Sequence, residues 1–163
     1  MNLKVIYWNV QGCCHPKFIS SAKQYLWDSR PDVVVFVDPR ISDCKADSVI
    51  TALVFSYSHR VEAHGFSGGI WLAWYDSVNI EILYNHFQYI HCRITTLRDN
   101  QSTIATMMYA SPNAMKRKAL CSSLHNLTYV IRFPWIIFGD FNATFTDSDR
   151  HECASSAKPS KAF

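Results

Sequence analysis

Apolar and polar positions along this chain follow two rhythms, which divide it into short strands and longer helices. Residues 3–9 are an apolar run of strand length, ending at Asn9. Over 17–29, Phe18, Ala22, Tyr25 and Leu26 fall at i, i+4, i+7 and i+8, one face of a helix. Arg30-Pro31 stops that helix, because a proline pushes the residue before it toward extended geometry. The run 32–37 is almost wholly Val and Phe, as in a strand covered on both faces. Ser42 or Asp43 can cap a second helix reaching about Phe55, with Val49 and Leu53 on one face.

Gly65, Gly68 and Gly69 mark turns, and strands are expected at 69–75, 78–84, 87–95 and 102–109, with Asp99-Asn100 turning between the last two. Asn113 suits the cap of a third helix, where Leu120, Leu124, Leu127 and Ile131 recur at helical spacing. Pro134 opens a final strand over 134–138. Beyond Asn142 the chain is polar and without period, so we expect a domain over 1–145 and an irregular tail over 146–163. There is no internal repeat and no low-complexity tract.

At 163 residues the chain has one-domain length, and 48% apolar with 18% charged residues excludes a disordered composition. The formal charge of +3 is compatible with a polyanionic partner, and Lys116-Arg117-Lys118 concentrates part of it. The six cysteines (Cys13, Cys14, Cys44, Cys92, Cys121, Cys153) contain no C-x-x-C pair, which argues against zinc and for reduced thiols. No signal peptide is legible, and no run approaches the roughly 18 apolar residues of a membrane span. An intracellular protein, nuclear or cytoplasmic and not secreted, is the expectation.

The candidate chemistry lies at strand ends. Gly139-Asp140-Phe141-Asn142 follows the apolar run ending at Phe138, Asn9 ends the first strand, and Asp38 ends the second. Oxygen-bearing side chains at strand tips suit hard cations and phosphoryl groups. Their pattern suggests one polar site at the ends of a single sheet. Taken singly, each such residue is more often a turn former.

Together, Trp8-Asn9-Val10-Gln11-Gly12, the segment Pro31 to Asp38, Ser67-Gly68-Gly69-Ile70, Tyr109-Ala110-Ser111-Pro112-Asn113 and Gly139-Asp140-Phe141-Asn142 resemble, in order, the motifs of the endonuclease/exonuclease/phosphatase superfamily. Within it the chain most resembles the N-terminal endonuclease domain of LINE-type retrotransposon polyproteins. The resemblance implies an α+β, DNase I-like αββα two-sheet sandwich and Mg²⁺-dependent (or Mn²⁺-dependent) phosphodiester hydrolysis, with DNA as partner. It further implies that Asn9 lies near the metal and that Asp38 stands in the place of a metal-binding glutamate. By the same resemblance Tyr109 touches the scissile phosphate and Asn113 the DNA backbone, while Asp140 activates water and Asn142 holds the phosphate. Lys116, Arg117 and Lys118 are candidate phosphate contacts, against the alternative of a solvated helix face.

Two departures qualify that expectation. Aspartate at 38 is one methylene shorter than the family's glutamate. The family's later S-D-H motif is absent before Phe163, so the sequence resembles a domain incomplete at the C-terminus, with impaired or absent catalysis. Loss of most of one sheet would uncover the apolar positions of 32–37, 69–75 and 134–138 and favour self-association or aggregation. The alternative function is a non-catalytic retroelement remnant with weak nucleic-acid binding. Phosphate esters of lipids or small molecules remain a further substrate class within the fold.

Overall fold

The computed structural model describes residues 2–63 and 68–143. Its elements run β1 (Val5–Asn9), α1 (Phe18–Ser29), β2 (Val33–Val37), α2 (Asp43–Leu53), β3 (Tyr57–Val61), β4 (Ile70–Trp74), β5 (Val78–His86), β6 (Tyr89–Thr96), β7 (Ser102–Tyr109), α3 (Ala114–Thr128) and β8 (Trp135–Asp140). The strands form two four-stranded sheets, in the orders β1-β2-β4-β3 and β5-β6-β7-β8. Helices cover both outer faces, which gives the αββα layering. Ser67 and the proposed tail over 146–163 lie outside the described residues.

The sequence dictates the layering through the two-residue period of its strands. Along β2, Val33, Val35 and Val37 point into the core between the sheets, where they meet Ile70, Leu72, Ile90, Ile94 and Met107. The alternate residues Val34 and Phe36 point the other way, into a second core with Ala22 and Leu26 of α1 and Ala46 and Leu53 of α2. Because both faces are covered, all five residues of β2 and all five of β4 are buried, and the strands read as unbroken apolar runs. Each fully buried side chain of this size contributes about 1.5–3 kcal/mol.

The second sheet has a thinner cover. Its outer face packs on α3 through Tyr89, Met108 and Ala110 against Leu120, with Leu124 and Leu127 alongside. Leu120 is the one fully buried residue of this helix. The helix ends at Thr128, before the Ile131 of the periodic pattern.

Four expectations need correcting. The strand β3 was not legible, because Tyr-Ser-His-Arg-Val is polar at its centre; it is recruited by antiparallel pairing with β4, Tyr57 opposite Trp74. The final strand does not join β1 and β2 in one sheet: β8 pairs in parallel with β7, Tyr109 opposite Asp140. The second helix stops at Leu53, where Val54 turns left-handed at φ 62°. Finally, the inner faces of β2 and β4 are not uncovered, since β5 to β7 close over them. Of the three runs 32–37, 69–75 and 134–138, the last is the one with an exposed large apolar side chain, Ile136 of β8.

Candidate active site

Two β-α-β units bring the polar strand ends together. In β1-α1-β2 and β7-α3-β8 the strands run parallel, so each unit places its strand C-termini at one end of its sheet. Open sheets with parallel strands offer ligand sites at those carboxyl ends. Here the edge strand of one sheet, β1, lies against the edge strand of the other, β8. The Tyr7 hydroxyl spans the gap: it donates to the Met108 carbonyl at 2.8 Å and accepts from the Asp140 amide at 2.9 Å. Burial pushes the Tyr7 phenol upward, and the Asp140 carboxylate adds to the rise, so it stays protonated as this clasp requires.

Asp140 is fixed from three sides. Its Oδ1 accepts from the Asn142 amide at 2.9 Å, and its Oδ2 accepts from Asn9 Nδ2 at 3.3 Å. Its carbonyl accepts from the Ala110 amide at 2.8 Å. Gly139 makes the approach possible. It adopts φ +148°, and a Cβ there would lie 2.0 Å from the Met108 carbonyl oxygen. Asn142 sits left-handed at φ 45°, which turns its amide back to donate to the Ala110 carbonyl at 2.7 Å. The same side chain also hydrogen-bonds the Tyr109 phenol.

Asn9 Oδ1 is buried and has no hydrogen-bond partner. An orphaned acceptor beside a carboxylate is what a cation or a bound water would satisfy. By that test the pair Asn9 and Asp140 suits a divalent ion. Asp38 is differently placed. Its carboxylate is buried, Oδ1 accepts from the Gly68 amide at 3.0 Å, and Oδ2 accepts from Arg40 Nε at 2.9 Å and pairs with Nη2 at 2.7 Å. Asp38 and Arg40 both take positive φ, 55° and 58°. Among the described residues there is no cluster of three His, Cys, Asp or Glu side chains that could hold a metal.

Tyr109 stands between the two carboxylates. Burial raises its pKa, Asp38 and Asp140 raise it further, and Arg40 and Asn142 act against the rise. Asn113 caps α3, its Oδ1 accepting from the amides of Met115 and Lys116 at 3.0 and 3.2 Å. The three consecutive cations do not act as one patch. Lys116 lines a groove with Tyr109, whereas Arg117 is drawn back to the carbonyls of Ser111 and Pro112 at 3.1 and 2.6 Å. Lys118 is exposed, and successive helix residues point about 100° apart.

Three residues escaped sequence reading. Tyr7 looked like one more apolar strand position. Arg40 lay outside any motif. Gln88, almost fully buried, accepts from the Ser111 amide at 2.6 Å and donates to the Lys116 carbonyl at 3.1 Å, locking the Tyr109–Asn113 segment to the β5–β6 turn. A glutamine between two aromatics was the one available hint.

No protein-family model and no curated protein matches the sequence. Solved structures do match the fold. The AP endonuclease LMAP from Leishmania major is 16% identical with a TM-score of 0.68, over 91% of this chain and 58% of that one. Humanized D. rerio TDP2 is 19% identical with a TM-score of 0.63, over 88% and 67%. The 3′ phosphatase NExo from Neisseria, bound to a product DNA hairpin, is 15% identical with a TM-score of 0.59, over 91% and 61%. This chain thus spans between 58% and 67% of the length of those chains. Identities this low speak to architecture alone, and the architecture here is the DNase I-like αββα sandwich.

Proposed function

We propose that this chain carries the phosphate-holding part of a divalent-metal-dependent DNA endonuclease site, of the kind that opens LINE-type retrotransposon polyproteins. The observation that carries the reading is the Asn9–Asp140 pair, joined across two sheets with one buried amide oxygen left unsatisfied. It is supported by the DNA-processing neighbours of the same fold, one of which holds a DNA product. A nuclear site of action goes with this proposal.

In this reading Asn9 and Asp140 hold Mg²⁺ or Mn²⁺, which supplies neutralisation of charge on the phosphoryl oxygens. Asp140 keeps lone pairs free on both carboxylate oxygens and accepts the proton of the attacking water. Asn142, hydrogen-bonded to the Tyr109 phenol, orients it, and the protonated phenol donates to a phosphate oxygen. Asn113 and the N-terminus of α3 face the backbone of the strand. Lys116 adds local charge, with Arg117 bracing the loop and Lys118 at the periphery.

A second reading, binding with little or no cleavage, is favoured by one contact. The Arg40 guanidinium engages the carboxylate that the family resemblance assigns to the metal. Nicking of supercoiled plasmid in Mg²⁺ or Mn²⁺ separates the two. We expect Asp140→Ala to lower the nicking rate at least about 100-fold, the scale of a lost general base. Equal cleavage by both proteins would remove Asp140 from its role. Salt-sensitive DNA binding with no cleavage by either would select the second reading.

A further inference from the structure

Tyr109 is shared between the Asp140 site and a groove of about 310 Å³ that lies between the two sheets. One wall carries Asp38, Arg40 and Glu62; the other carries Phe87, at the turn from β5 to β6, and Lys116. The cations here are not equivalent to free surface lysines. Arg40 is pinned by the buried Asp38 carboxylate through Nε and Nη2, yet its side chain is 48% exposed. Lys116 Nζ lies 6.0 Å from the centroid of the Phe87 ring.

Phe87 is the unusual member. It is 43% exposed at a turn, and the core makes no use of it beyond contact with the His86 ring at 4.3 Å between centroids. Asp38 is paired with Arg40, and Glu62 through Oε1 with Arg60, which also pairs with Asp47; Glu62 Oε2 is buried without a hydrogen-bond partner. The lining thus balances two carboxylates against two cations, with Lys116 the lining cation that no described carboxylate engages, beside the exposed aromatic face of Phe87. At the small end of ligand-site volumes it suits a single nucleotide and not a stacked duplex.

Resting on the reading that this end of the sandwich meets nucleic acid, we propose that the groove is a subsite for one unpaired nucleotide of a single strand. The base stacks on Phe87, and the flanking phosphate is held by Arg40 and Lys116. Because these cations belong to the chain, the subsite binds without a divalent ion. Stacking on an exposed aromatic is sequence-tolerant, so the preference is for single strands and not for a base.

The test is fluorescence anisotropy with the full chain in EDTA, using a labelled oligothymidylate and a blunt duplex of equal length. We expect the single strand to bind at least about tenfold more tightly than the duplex. Phe87→Ala should cost about tenfold in single-strand affinity, while Phe87→Tyr retains it. Lys116→Ala should reduce the slope of log affinity against log salt by about 0.7, the value for one lost single-strand phosphate contact. The paired change Asp38→Asn with Arg40→Gln, which removes both charges together, should reduce it similarly; Lys23→Ala, on α1, should change nothing. Unchanged affinity in Phe87→Ala, duplex binding as tight as single-strand binding, or no binding in EDTA would each overturn the subsite. Plasmid nicking is scored separately, so a failed nuclease assignment with a Phe87-dependent single-strand preference leaves this inference standing.

Discussion

The two sheets of this sandwich are built to different standards of cover. In the first, β2 and β4 are buried along their whole length between α1 and α2 on one side and the second sheet on the other. In the second, the central strands β6 and β7 are also largely buried, but β5 alternates only at its start and is then mostly exposed, α3 contributes one fully buried leucine, and β8 has half-exposed positions throughout. The first sheet is a scaffold. The second carries most of the polar chemistry at its edge and depends on the first to hold that edge in place, through Tyr7 and Asn9. Function is thus concentrated where the packing is thinnest, and the rigid side supplies the clasp.

The contrast can be broken most severely at Gly139. Alanine there collides with the Met108 carbonyl in a backbone region that suits only glycine, and we expect a loss of about 3 kcal/mol or more, read as failed folding or a collapsed denaturant midpoint. A matched pair of truncations sharpens the difference between the sheets. Phe36→Ala should cost about 3–5 kcal/mol, whereas Phe133→Ala, 59% exposed beside β8, should cost about 0.5 kcal/mol or less in urea unfolding. Similar costs would dissolve the distinction.

Tyr7→Phe removes the clasp while keeping the ring. With two hydrogen bonds lost, we expect about 2 kcal/mol of destabilisation, and reduced nicking that tracks the misplacement of Asp140. Titration probes the interior of the second sheet. His91 is buried against Thr106 Oγ1, and burial lowers its pKa below the ordinary 6.5. The unfolded chain therefore takes up the proton first, so stability present above about pH 6.5 declines as the medium is acidified toward the folded-state value. His91→Gln should flatten that decline. On the alkaline side, burial pushes the Cys92 thiol up to about 12, so stability should fall as pH rises above 9, the ordinary thiol value, toward 12.

The smallest expected effect concerns association. We propose that the β8 edge, with Ile136 51% exposed and Phe133 beside it, lets copies of the chain self-associate. Sedimentation should then depend on concentration, and Ile136→Lys should suppress that dependence with little change in unfolding midpoint. A concentration-independent monomer would discard the proposal.

Much of this molecule was readable from residue order alone. The unbroken apolar runs of β2 and β4, the helical spacing in α1, the Asn113 cap and the strand-end placement of Asn9, Asp38 and Asp140 follow from local periodicity and local chemistry. What periodicity cannot encode is partnership. A strand's sequence says which residues alternate but not which sheet it joins, so β8 was placed beside β1 in a single sheet when it pairs with β7. Nor could β3, polar at its centre, be recognised without the β4 edge that pairs with it. The engagement of Asp38 by Arg40, the Tyr7 clasp and the division of Lys116 from Arg117 are likewise decisions of tertiary structure. They depend on distances between residues remote in sequence, or on backbone twists of a single residue, that become definite only once both sheets are packed.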